Sequence, residues 1–565
     1  MSHHLKGPDP RRNLRRRIAA FASARDGNIA MIFGLTSIPL LFFAGAAVDY
    51  GLATRLETRL QAATDATALT LCQTANTTTL AQMQIQAQSM MEGYMGSSGL
   101  TVDPLAMSLN PRQITLTTHA VATTYFNKIT RVNSTVVGAA ARCATPVPKT
   151  FEIALVLDNT GSMAISSGGQ SKLQAAQTAA KQFIDYVKGN AAFAADTRIS
   201  IVPFASAVAV NPTTYRYASW IDQQGKSSLH WTNVTDPDGS NFKSRFDIFA
   251  KLQNVYSGWG WGGCFETLPY PRNVSDVAPT GDNDSLYVPM FAPDEPGDGT
   301  TGSQKYKSSG TNYYSLNSYI DDGDSSGSCK SSSSMNWDDA QSRACKYVSP
   351  KDASPTNSGA SGVPNGPNYG CTTKPLQRLT TDATVLKSLV DSMAPLGSTN
   401  IHEGFMWGWR TLSPNSVFAD GASYSSSTVN KIIILMTDGE NSWPTYSSSW
   451  NQSQYFAAGY LRNANGSTPN PRLPPGNQNV SNATNARAAL DALTATACTN
   501  AKTAGISVYT IGFSVPNDPI DAQGLSVLSK CASSASQYFV ANDSSSLIAA
   551  FDQIAKSIGT LRLTQ

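Results

Sequence analysis

The run Phe151-Glu-Ile-Ala-Leu-Val-Leu-Asp158-Asn-Thr160-Gly-Ser162-Met163 constrains this chain more than any other stretch. An apolar strand ends in an acid, and hydroxyls follow two and four positions later. A strand that delivers Asp158 into a tight turn aims Asp158, Thr160 and Ser162 at one point. Hard oxygen ligands of this kind suit Mg²⁺. Alone the pattern is weak, because Asn, Thr, Gly and Ser also build ordinary turns. Two later segments extend it. Pro395-Leu-Gly397-Ser-Thr399-Asn400-Ile-His402-Glu-Gly404 is a loop whose Asn400 is suited to cap the helix predicted after it. Lys431-Ile-Ile-Ile-Leu-Met-Thr437-Asp438-Gly439-Glu440 reads as a buried parallel strand ending in an acid and a glycine turn.

These three segments, in this order, resemble the metal-ion-dependent adhesion site of von Willebrand factor A domains, whose first loop carries Asp-x-Ser/Thr-x-Ser. Thr160 stands where Ser is more usual and keeps the hydroxyl. The resemblance implies that Asp158, Thr160, Ser162, Thr399 and Asp438 surround one Mg²⁺ (or Mn²⁺ or Ca²⁺) and leave it an open position. Taken singly, Asp158 reads as a helix N-cap and Asp438 as the start of a turn. Three strand-end loops in family order favour the metal.

At 565 residues the chain is too long for one ordinary core. A net charge of +3 and a charged fraction of 14% do not suggest a nucleic-acid binder. The basic residues that cluster do so at the start: Lys6, Arg11, Arg12, Arg15, Arg16, Arg17 and Arg25 precede the uncharged apolar segment Asn28–Val48. That segment has about the roughly 20 residues a membrane-spanning helix needs. Positive residues stay on the cytoplasmic side, so the remainder is expected outside. A cleaved signal peptide is the rival, since Ala44-Gly-Ala46 looks like a cleavage site. The long charged leader, and a helical pattern that continues through Leu52, Leu56, Leu60, Ala63 and Ala66, favour an uncleaved anchor.

All eight cysteines lie after the apolar segment, as disulfides in an oxidising compartment would require. Zinc ligation lacks a Cys-x-x-Cys pair. Spacing leaves the connectivity open. Pairing of neighbours would join Cys72 to Cys143 and Cys498 to Cys531, leaving four cysteines in the middle segment.

From residue 49 to 148 an amphipathic helix gives way to strand-like alternation, notably Gln113–Phe126, and Ala144-Thr-Pro-Val-Pro148 reads as a linker. Arg25-Asp-Gly27-Asn-Ile-Ala-Met-Ile32-Phe33, Pro39 and Val48-Asp-Tyr-Gly51 resemble the N-terminal segment of TadE/TadG-like proteins of tight-adherence (Flp) pilus systems. Pilin-like members of that family carry a Glu five residues after the glycine, for processing and subunit assembly. Ile32 occupies that place here, which favours a permanent anchor. TadG-like members commonly join such an anchor to a C-terminal A domain.

The expected fold is α/β: a doubly wound, Rossmann-like A domain over 149–565, preceded by a transmembrane helix over 28–48 and a small pilin-like α+β region over 49–148. Residues 1–27 form a cytoplasmic basic N-terminus. Strands are predicted at Glu152–Leu157, Arg198–Phe204, Lys431–Met436, Ser507–Phe513 and Gln537–Val540. Helices are predicted at Lys172–Lys188, Ala383–Ala394, Glu403–Thr411, Ala486–Lys502 and Ser545–Ile558. Between 211 and 380 the rhythm stops in a Ser-, Gly-, Asn- and Pro-rich insertion. Its Trp259 and Trp261 are better read as plugs of a loop-rich subdomain than as a stacking platform. Its acids Asp236, Asp238, Asp321, Asp322 and Asp324 hint at Ca²⁺, but counting from Asp322 puts Ser333 where an EF-hand needs Glu, so solvated loop acids are expected. A second polar loop, Asn441 to Asn482, is placed to wall the metal face.

The leading functional reading is a non-enzymatic pilus assembly or adhesion protein. It is anchored by one helix in the bacterial cytoplasmic (inner) membrane, with most of the chain in the periplasm or extracytoplasmic space. It binds a protein partner whose carboxylate completes the metal. One alternative is an exported serine hydrolase using Ser162, His402 and Asp438, although no Gly-x-Ser-x-Gly elbow surrounds Ser162. The other is a minor-pilin-like filament component.

Overall fold

The computed structural model describes residues 18–20, 28–74, 79–109, 112–144, 150–167, 169–190, 193, 196–308, 310–330, 334–351 and 362–560. The basic leader, Gly27 and most of the linker after Ala144 lie outside them. The chain divides into two compact units, Met1–Val147 and Pro148–Gln565.

In the first unit, helix α1 (Asn28–Thr74) runs unbroken through Pro39, from the apolar segment into the amphipathic stretch. Helix α2 (Leu80–Met95) follows, opened by a capping box between Thr79 and Gln82. Strands β1 (Leu100–Val102), β2 (Ala106–Leu109), β3 (Arg112–Thr123) and β4 (Ser134–Ala144) form one antiparallel sheet. The inward residues of β3, Ile114 and Leu116, pack on Ala68 and Leu71 of α1. Cys72 and Cys143 are bonded across that contact.

In the second unit six strands form one sheet. In chain order they are β5 (Thr150–Asp158), β6 (Arg198–Phe204), β7 (Gln377–Thr380), β8 (Val429–Thr437), β9 (Ser507–Phe513) and β10 (Tyr538–Ala541). Across the sheet the order is β7-β6-β5-β8-β9-β10, parallel except for the antiparallel edge strand β7. Numbered along the chain, this is the 3-2-1-4-5-6 order of a doubly wound fold. It is the α/β architecture expected of an A domain.

Both faces of the central strands are buried, which is why they read as continuous apolar runs. Ile153, Leu155, Ile432 and Ile434 face helices α3 (Lys172–Gly189), α4 (Ala383–Ser392) and α8 (Ser544–Thr560). Ala154, Val156, Ile433 and Leu435 face α5 (Ile401–Leu412) and α6 (Ala483–Thr503). Helix α5 lies unusually close to the sheet. A Cβ added at Gly404 would sit 2.5 Å from the Phe204 ring, and one at Gly408 2.4 Å from Val156.

Not every element was anticipated. Strand β7 falls inside the stretch assigned to the insertion, and helix α7 (Ala522–Cys531) follows β9. β7 is four polar-leaning residues at a sheet edge and has no apolar run to betray it. The insertion is also less shapeless than its composition: Arg245–Val255 is a helix. Trp259 and Trp261 are buried plugs, their rings 5.1 Å from Tyr319 and 5.3 Å from Phe265 respectively. The insertion acids, expected to be solvated, in part are not. Asp322 has no exposed surface and pairs with Lys305 at 3.2 Å. Asp324 accepts from the Cys329 N–H at 3.0 Å, and Asp236 from Gly239 N–H at 3.1 Å. Among the described residues neither group gathers three acidic side chains at one point. The insertion's cysteines pair as Cys264–Cys371 and Cys329–Cys345, and Cys498–Cys531 joins α6 to α7.

Candidate functional site

Three loops meet at the C-terminal edge of the parallel strands. β5 ends at Asp158, and its carboxylate folds back on the turn it begins: Oδ1 accepts the Thr160 N–H at 2.8 Å. Oδ2 accepts the Thr437 hydroxyl at 2.6 Å, tying the end of β5 to the end of β8. The hydroxyls of Thr160 and Ser162 lie 3.0 Å apart, and Ser162 Oγ donates to Asp438 Oδ1 at 2.8 Å. Asp158, Thr160, Ser162 and Asp438 are therefore one continuous hydrogen-bonded chain.

The loop before α5 is bonded to the first one. Gly161 N–H donates to Gly397 O at 2.9 Å, Leu396 N–H to Asn159 O at 2.9 Å, and the Asn159 amide to Ala394 O at 2.9 Å. Gly397 has φ +96°, and a Cβ there would meet the Thr372 hydroxyl at 2.7 Å, so the turn requires glycine on both counts. Asn400 caps α5 through the Glu403 N–H, as its place in the sequence suggested. Thr399 places its hydroxyl beside Gly439, 3.8 Å from where a Cβ on that glycine would lie. The second polar loop adjoins this face: Ser442 N–H donates to Thr399 O at 2.9 Å, and the Asn441 side chain accepts the Ile401 N–H at 2.9 Å.

Both acids are buried: Asp158 has no exposed surface and Asp438 is 3% exposed. Burial, and then the charge of Asp438, push the Asp158 carboxyl up to about 7. Burial also raises Asp438, against the pull of Lys172. Lys172, the first residue of α3, is fully buried and donates to Asp438 Oδ2 at 2.8 Å and to Asp518 Oδ2 at 2.5 Å. Sequence reasoning missed Lys172, Thr437 and Asp518. Thr437 was adjacent to a chosen acid, and Lys172 follows the capping residue Ser171 within the loop that descends from Ser162.

The donor set fits a hard cation. It is all oxygen, it holds two acids of which Asp438 raises Asp158 by its charge, and the hydroxyls of Thr160 and Ser162 lie along the same chain of contacts. Among the described residues no three His, Cys, Asp or Glu side chains gather as a metal group, so a cation here depends on hydroxyls and water as well as the two acids. The hydrolase triad is not assembled. His402 Nε2 bonds the Asn273 carbonyl at 2.8 Å, deep in the core, while Ser162 is bonded to Asp438 directly.

Residues 27–70 match the family model of putative Flp pilus-assembly TadE/G-like domains. The TadE/G-like segment covers most of α1, including the helix apolar and long enough to cross a membrane. No curated protein matches the chain. Among solved structures, the von Willebrand factor domain of the type V pili tip protein Mfa5 from Porphyromonas gingivalis is 12% identical, covering 73% of this chain and 96% of that one at a TM-score of 0.30. The adhesive tip pilin GBS104 from Group B Streptococcus agalactiae is 12% identical, covering 73% and 100% at a TM-score of 0.33. The pilus adhesin SpaC from Lactobacillus rhamnosus GG is 11% identical, covering 82% of this chain at a TM-score of 0.31. This chain spans 35% of SpaC.

Proposed function

We propose that this is a single-pass membrane protein of pilus assembly or adhesion, non-enzymatic, whose exported A domain binds a protein partner through a divalent cation. Asp158, Thr160, Ser162, Thr399 and Asp438 would hold the ion, with Mg²⁺ the best fit to small, hard oxygen ligands. When bound, the ion offers an open position to a carboxylate of the partner. The chain's own residues prepare that position. Thr437 and the Thr160 N–H orient Asp158, Ser162 bridges to Asp438, and the bonded loops 158–163 and 394–400 fix the hydroxyls relative to both acids.

The observation that carries this reading is the junction of the Asp158 and Asp438 loops through Ser162, beside a loop that presents Thr399. The TadE/G-like match at residues 27–70 supports the pilus context, and the apolar part of α1 supports the anchor. The test is binding of pilus and export components to the whole protein in detergent, with Mg²⁺ or with EDTA. Capture of a component with Mg²⁺ but not with EDTA supports the reading. Capture that is unchanged in EDTA and in Asp158→Ala counts decisively against it.

A further inference from the structure

We propose that the turn joining β3 to β4 is a second membrane contact, seated in the outer headgroup layer beside the end of the span; this rests on the anchor reading above. β3 and β4 pair up to Thr123 and Ser134, and the connection between them closes through a turn at Asn127–Thr130. Arg131, at φ +66°, completes it. Asp49 and Gly45 hold the turn to α1. The Asp49 carboxylate accepts three successive backbone N–H groups, from Tyr125 at 2.8 Å, Phe126 at 2.9 Å and Asn127 at 2.7 Å. One turn earlier, Gly45 leaves room for the Phe126 ring; a Cβ there would lie 2.6 Å from it.

Residues 45 and 49 flank the end of the apolar segment. From Asn28 to Val48, at about 1.5 Å per residue, a helix spans about 30 Å, the thickness of a hydrocarbon core. The turn is thus fixed at the level where hydrocarbon gives way to headgroups. What it shows there is apolar: Ile129 is 78% exposed, Tyr125 65%, Phe126 46% and Val132 45%. Near the same end of the segment α1 carries further exposed apolar side chains, Leu41 and Val48 among them. Two cations, Lys128 and Arg131, share the turn. Aromatic rings at the interface, with long basic side chains reaching phosphates, match what the boundary layer of a bilayer accepts. A water-facing hairpin has no need of such a tip, and a clamp of three hydrogen bonds holds it in place.

The experiment is spin-label depth measurement on the full chain in vesicles containing anionic lipid. All eight native cysteines are paired, so a single introduced thiol takes the label. Three positions are labelled separately: Leu41→Cys in the span, Ile129→Cys on the turn, and Asp65→Cys, about 25 Å farther along α1 than Val48 at about 1.5 Å per residue. The expected result is oxygen-rich collision at 41, water-like collision with a nickel complex at 65, and an intermediate value at 129, about 5–10 Å into the boundary layer. A label at 129 that reads like 65 overturns the proposal and leaves the anchor intact. A label at 129 shielded from both oxygen and nickel means that protein covers the turn, which also overturns it. A water-like label at 41 overturns the anchor and this contact together.

Discussion

Lys172 Nζ donates to Asp438 Oδ2 at 2.8 Å, and neither side chain has any exposed surface. The lysine comes from the start of α3, the acid from the end of β8, and the same ammonium reaches Asp518 in the loop after β9. Three parts of the sheet edge are thus gathered around one positive charge. A divalent cation that uses Asp438 must share that carboxylate with an ammonium already in place. The metal-free domain is correspondingly less strained than two buried, mutually repelling acids alone would make it.

Replacing Lys172 by Met separates these effects. Loss of one partner from a buried pair should lower metal-free stability by about 3–5 kcal/mol. The competing hydrogen bond to a charged group is worth about 1.5–3 kcal/mol, so Mg²⁺ affinity should rise by about tenfold or more. Isothermal titration of the whole protein in detergent reads the second quantity, and urea melts in EDTA the first. An affinity equal to wild type would show that Asp438 does not contact the ion.

Asp158→Asn keeps the shape and, with its carbonyl oxygen in place of Oδ1, an acceptor for the Thr160 N–H, while its NH2 replaces Oδ2 and donates to the Thr437 hydroxyl oxygen instead of accepting from it. It removes a charge that burial and Asp438 both disfavour. Metal-free stability should therefore hold or rise slightly, while the Mg²⁺-dependent gain in Tm expected of the wild type by ligand linkage should vanish. Equal gains in wild type, Asp158→Asn and Asp438→Asn would place the ion elsewhere.

The sheet was legible because its strands are buried on both faces, so β5, β6, β8 and β9 appear as apolar runs of the right length. β7 was not, since a four-residue edge strand is defined by its neighbour's register with Ile199 and Ile201. The hydroxyl-and-acid pattern located the loops that meet. It said nothing of Lys172, because a lysine at a helix start looks solvated until the fold closes over it. Nor could spacing show that Asp322 would be buried against Lys305, which depends on how the insertion folds back on itself.

The disulfides should differ in weight. Cys264–Cys371 closes a loop of 107 residues and Cys498–Cys531 one of 33. Chain-entropy scaling gives about 5 kcal/mol for the first and about 3–4 kcal/mol for the second. Calorimetry on the two paired Cys→Ser variants should show the larger loss for the insertion's bond. A larger loss for Cys498–Cys531 would mean that packing of α6 on α7, not loop closure, sets the cost.

Glu295 gives the insertion a pH response. Its carboxyl is fully buried, accepts the Tyr460 hydroxyl at 2.9 Å and the Leu316 N–H, and so holds the insertion to the second polar loop. Burial, against those hydrogen bonds, pushes it from 4.5 up to about 7. Between these two values the folded chain keeps a proton that the unfolded chain has lost, so stability must fall as pH rises through that window. The full contribution is present below about 4.5 and is lost by about 7. At roughly 1.4 kcal/mol per unit this amounts to on the order of 3 kcal/mol. Asp322 and Asp158, also raised by burial, add to the wild-type slope with the same sign, so the informative quantity is a difference. Glu295→Gln mimics the protonated acid at every pH. Urea midpoints at pH 5 and pH 8 should be nearly equal between wild type and Glu295→Gln at the lower pH, with the variant more stable at the higher. A variant that loses stability equally at both would show that Glu295 is held as the carboxylate, and that the Tyr460 and Leu316 bonds outweigh its burial.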